Sequence, residues 1–84
     1  MNMKDRKGKE MHAFMQDDKT AKVFLTNEGW EVDYYNKGYF ILTEPFHDKS
    51  ETYAENSADN YVTGIKRIQV TLESGVVTKR LLNE

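Results

Sequence analysis

The chain has no cysteine among its 84 residues. That excludes disulfide bonds, thiolate metal sites and a cysteine nucleophile. A domain of this size without staples relies on packing alone, which suits a reducing cytoplasm, the expected compartment. There is one proline, so almost every backbone amide can enter a hydrogen-bonded ladder. No apolar run approaches the roughly 20 residues of a membrane-spanning helix, and the basic N-terminus lacks the apolar core of a secretory signal. A membrane partner is therefore not expected. Basic charge does not dominate either. Twelve Lys and Arg face fourteen Asp and Glu for a net charge of −2, short of the positive surface that drives non-specific duplex binding.

What is present is unevenly placed. Residues 1–10 and 61–84 each carry a net +2, and residues 11–60 carry −6. Residues 1–19 read as a flexible or short-helical N-terminal arm. Residues 1–9 are a charged stretch, while Met11, Phe14 and Met15 have helical spacing over 10–18. Residues 20–84 read as a single α+β domain.

Three turns punctuate that domain: Asn27-Glu28-Gly29, Asn36-Lys37-Gly38 and Glu73-Ser74-Gly75. Glycine accepts positive φ, and each turn lies between segments rich in β-branched or aromatic residues, the pattern of β-hairpins. Strands are expected at 21–26, 30–35 and 39–44, with Pro45 ending the third. Three-residue loops at the first two turns would oppose Phe24 to Val32 and Lys22 to Tyr34. They would likewise oppose Tyr35 to Tyr39 and Val32 to Leu42. One face then collects Phe24, Trp30, Val32, Tyr34, Phe40 and Leu42 as core.

Ser50 reads as an N-cap with Glu51 in the first helical turn. Ala54, Ala58, Tyr61, Val62 and Ile65 follow a helical period, predicting a helix over 51–63 stopped by Gly64. Alternation then resumes. A two-residue Ser74-Gly75 loop opposes Leu72 to Val77 and Ile68 to Leu81, which matches apolar to apolar. The fold class is α+β, antiparallel β-β-β-α-β-β. The helix packs on an open sheet, or the strands curl into an OB-like, partly closed barrel, whose strand order this resembles.

The chemistry-bearing residues are sparse. His12 lies near Asp17 and Asp18. His47 lies beside Asp48, with Glu44 and Glu51 nearby. Two histidines this far apart show no ligand spacing, so no metal, cofactor or acid–base site is expected. Ser50, Ser57 and Ser74 occupy cap, helix and turn positions, not a nucleophile elbow, and no Gly-rich phosphate loop is present. The expectation is a protein that is not an enzyme.

Two binding surfaces remain. Glu51, Glu55 and Asp59 recur at i, i+4 and i+8 and form an acidic row, with Glu44 and Asp48 just upstream. Repulsion along such a row amounts to a few tenths of a kcal/mol per pair. This row predicts a small regulatory or inhibitory protein that docks on another macromolecule. The partner would be a protein, and one that itself binds nucleic acid would suit the row's charge. The alternative is an OB-like single-stranded nucleic-acid-binding module. It would use Tyr35 and Tyr39, the intervening Lys37, and the basic hairpin residues Arg67 and Arg80. An exposed edge strand leaves a homodimer as a further arrangement.

Overall fold

The computed structural model describes residues 8–82. Residues 1–7 of the expected arm and the 83–84 tail lie outside them. The chain runs through β1 (Lys9–Gln16), β2 (Lys19–Thr26), β3 (Gly29–Asn36), β4 (Tyr39–Phe46), α1 (Glu51–Val62), β5 (Arg67–Glu73) and β6 (Val76–Leu82). Strands β1 to β4 form an antiparallel meander in sequence order, and β5 and β6 form a separate two-stranded sheet. The fold is α+β with an open sheet, so the closed-barrel alternative does not describe it.

Helical spacing predicts a short helix over 10–18, but Lys9–Gln16 form a fourth strand before α1. Asp17, with φ of 55°, turns the chain back into β2. The alternation of His12 and Phe14 then has a use. They oppose Val23 and Ala21 and lie on the face that α1 covers.

The first two hairpins differ from the expected register by one residue. Thr26 opposes Gly29 and Val23 opposes Val32, leaving a two-residue Asn27-Glu28 turn. The Thr26 hydroxyl donates to the Gly29 carbonyl at 2.8 Å and accepts from the Glu28 amide at 3.1 Å, which locks the shorter loop. Because side chains alternate, a one-residue slip exchanges the faces of β2. Ala21 and Val23 are fully buried, while Lys22 and Phe24 point to the other side. At the second turn Asn36 opposes Tyr39 across Lys37-Gly38. Both turn residues have positive φ, 54° and 84°, as a tight turn matched to strand twist requires. Tyr35 pairs with Phe40 in the same register, and an irregularity between Tyr34 and Tyr35 then sets Tyr34 opposite Leu42. Phe40 therefore leaves the expected core face and is 52% exposed.

Pro45 does not end β4, which continues to Phe46. As an edge strand, β4 tolerates the missing amide. The third hairpin matches expectation. Leu72 opposes Val77 and Ile68 opposes Leu81 across Ser74-Gly75.

Helix α1 starts where the sequence indicates. Ser50 caps it, its hydroxyl accepting from the Tyr53 amide at 3.2 Å. Thr63 and Gly64 close the other end, their amides bonding the Asp59 and Tyr61 carbonyls. The core joins Ala21, Val23, Val32, Tyr34 and Phe46 of the sheet to Ala54, Ala58, Tyr61 and Val62 of α1. Three alanines at this junction let the helix backbone approach the sheet closely. Phe14, Trp30, Leu42, Ile68 and Leu81 pack around the margin. Ile65, expected on the apolar helix face, lies beyond the helix end and is 59% exposed.

Candidate functional site

The five acidic residues singled out for docking do not form one strip. Glu44 is on β4 and faces the helix, with its side chain 18% exposed. Its Oε1 accepts from the Tyr34 hydroxyl at 2.7 Å and from Lys66 Nζ at 3.1 Å. Ser57 Oγ lies 2.6 Å from the Tyr34 hydroxyl and 3.5 Å from Glu44. A charged carboxylate at the core margin is tolerable because an ammonium and a phenol share it. Glu44 is thus a structural anchor, which corrects its assignment to the docking row. Glu51, Glu55 and Asp59 follow one another along α1, and Asp48 lies exposed in the preceding turn.

Burial strongly raises the Tyr34 phenol above the ordinary tyrosine range. The Ser57 hydrogen bond opposes that shift, and the hydrogen bond and charge of Glu44 reinforce it. Tyr61 is also raised, by burial. Its hydroxyl donates to the Tyr35 carbonyl at 2.9 Å, and its ring lies 4.8 Å from that of Tyr34. Both phenols are kept neutral and act as hydrogen-bonding struts between sheet and helix. Beside this network a cleft of about 420 Å³ opens between β4 and α1, with Phe46, Tyr53, Asn56 and Asn60 on its walls.

The aromatics of the alternative surface are arranged differently from the expectation. Tyr35 pairs with Phe40, not Tyr39, in an edge-on contact with centroids 5.7 Å apart. Lys22 Nζ sits 5.2 Å over the Tyr35 ring and Lys79 Nζ 5.9 Å from the Phe40 ring. Tyr39 is separate and 78% exposed. Lys37 occupies the tip of its turn, its amide bonded to the Asp18 carbonyl at 2.7 Å. Asp33, on the same sheet face as Tyr35, is buried and accepts from the Thr43 hydroxyl. Arg67 and Arg80 share the exposed face of the β5–β6 hairpin, opposite the face that carries Ile68 and Leu81.

The fold also assembles a group that sequence spacing does not show. Strand β1 brings His12 to α1, where its Nε2 lies 2.6 Å from Glu51 and 2.6 Å from Glu55. His47 similarly reaches Glu31 at 2.8 Å and Glu28 at 4.0 Å, across the β2–β3 turn. The signal for the first group was the Asp17-Asp18 pair. Read as a hairpin turn, it makes residues 9–16 a strand and places His12 on the helix side. No family model matches the chain, and no curated protein or solved structure shows significant similarity to it.

Proposed function

We propose that this chain is a small non-enzymatic binding protein of regulatory or inhibitory type. It docks on a basic surface of another protein through the solvent face of α1 and the turn before it. The composition of α1 carries this reading. Its twelve residues include Glu51, Glu55 and Asp59 but no lysine or arginine. Glu51 and Glu55 turn toward His12 of β1, so the exposed Asp59 and Asp48 carry the charge offered to a partner. Asp59 lies near the C-terminal end, where its charge opposes the helix dipole. Asp48 extends the acidic surface into the preceding turn. Bases in the last turn would favour a helix through its dipole, and this one has none. A nucleic-acid-binding protein is the partner class best suited to such charge, because its own binding surface is basic.

The single-stranded nucleic-acid reading has weaker support. Tyr35 is closed over by Phe40 and Lys22, and the sheet that would carry the bases is open, not a barrel.

The test is a double charge reversal, Asp48→Lys with Asp59→Lys, which leaves Glu51 and Glu55 in place. A partner recovered by the wild-type chain should be recovered about tenfold less by the variant. Raising the ionic strength should have the same effect, since exposed charges are screened within about 10 Å at 0.1 M salt. Equal recovery by the two chains would refute the docking face.

A further inference from the structure

We propose that His12, Glu51 and Glu55 form a binding site for one divalent transition-metal ion of the zinc class. The three donor atoms come from two elements and all lie within 4.8 Å of one another. A break in register between Glu10 and His12 sets His12 opposite Val23, so its ring points at α1. Glu51 and Glu55, one helical turn apart, meet it from the other side.

The arrangement asks more of His12 than an imidazole can supply. Nε2 is 2.6 Å from a carboxylate oxygen of each glutamate. A ring nitrogen carries one proton or one lone pair, directed in the ring plane. It can make one short, linear hydrogen bond but not two. Even protonated, the imidazole brings one positive charge against two negative ones. A divalent cation at the centre resolves both deficits, because it accepts the imidazole lone pair and both carboxylates together. Tetrahedral bonds of about 2.0–2.2 Å hold neighbouring donors roughly 3.3–3.6 Å apart. Each 2.6 Å contact would thus open by roughly 0.7–1 Å, within the rotamer freedom of partly exposed side chains.

The donor set also limits the metal. One nitrogen, two oxygens and no sulfur suit zinc, cobalt or manganese and not copper(I) or an iron–sulfur cluster. Three protein ligands leave a position for water or for a donor from a partner. An ion here would join the edge strand β1 to α1. The Glu28, Glu31 and His47 group is looser, with Glu28 4.0 Å from the histidine and 77% exposed, and it serves as an internal control.

The full chain, stripped with chelator, is titrated with zinc chloride by calorimetry and then with manganese. One saturable site is expected, with a rise in Tm on zinc addition. His12→Ala and Glu55→Gln should each weaken zinc binding by about tenfold or more, while His47→Ala should leave it unchanged. Manganese should broaden the amide resonances of residues 12, 51 and 55 in the wild-type spectrum, a readout that does not depend on any variant folding. Absence of saturable binding, wild-type affinity in His12→Ala, or broadening centred on residue 47 would each overturn the site. The Asp48→Lys, Asp59→Lys chain should bind zinc normally, which separates this inference from the docking reading.

Discussion

Tyr34 shows how much one hydroxyl can organise. It is fully buried and ties β3 to Glu44 on β4 and Ser57 on α1. An unfolded tyrosine loses its proton near pH 10, whereas the folded protein holds this one to higher pH. The folded-state value is raised, so the associated stability is complete below about pH 10 and declines as pH climbs past it. The decline approaches about 1.4 kcal/mol per pH unit for one such group. Tyr34→Phe should lose about 1–2 kcal/mol near neutrality through its hydrogen bonds. Above pH 10 its stability should fall less steeply than that of the wild type. Urea unfolding at a series of pH values measures both effects, and parallel profiles would contradict the alkaline part.

Gly29 is a second residue on which local geometry depends. It has φ of +130°, and a Cβ built there would lie 2.8 Å from the His47 Cα and carbonyl oxygen. Gly38 also has positive φ, but none of the described residues lies within 4 Å of the corresponding position. Gly38→Ala should therefore cost about 1 kcal/mol of backbone strain. Gly29→Ala should cost more, because the β4 end must also move. Chemical denaturation of the two variants gives the comparison, and equal losses would show that the close approach does not matter.

Among the elements, β2 and β5–β6 differ most in how they are secured. Strand β2 lies between β1 and β3 and carries the fully buried Ala21 and Val23 under α1. The β5–β6 hairpin reaches the body through Ile68 and Leu81 at the core margin. Lys79 adds a 2.6 Å bond from Nζ to the Ile41 carbonyl. Beyond those contacts Val70, Leu72, Val76 and Val77 are more than half exposed. A two-stranded hairpin is at best marginal by itself, so it should open far more often than the meander. Amide hydrogen exchange should show Thr71–Val77 exchanging well before Ala21, Val23, Val32 and Tyr34. Equal protection in the two sheets would mean that the hairpin unfolds only with the whole domain.

At the scale of the whole molecule, the elements legible in the sequence are those with local causes. Ser50, Ala54, Ala58 and Tyr61 spell out α1 because capping and helical period act over a few residues. Ser74-Gly75 and its flanking valines and leucines define the last hairpin for the same reason. The first two registers were not legible, since Asn-x-Gly permits loops of two or three residues and the choice reverses a face. Thr26 decides the first turn through its hydroxyl, and the slip moves Phe24 out of the core. The acidic row was visible as spacing along α1, but the inward turn of Glu44 was not, because it depends on Tyr34 and Lys66 arriving from elsewhere.

By itself, then, the sequence determined the α+β class, the helix and its caps, the acidity of that helix, and the pairing of the final hairpin. Each follows from interactions between residues close in the chain. Only the tertiary structure decided which face of β2 is buried, that 9–16 is a strand, and that His12 meets Glu51 and Glu55. Those outcomes depend on contacts between residues up to 43 positions apart, set by how α1 settles through Ala54 and Ala58 onto Ala21 of β2.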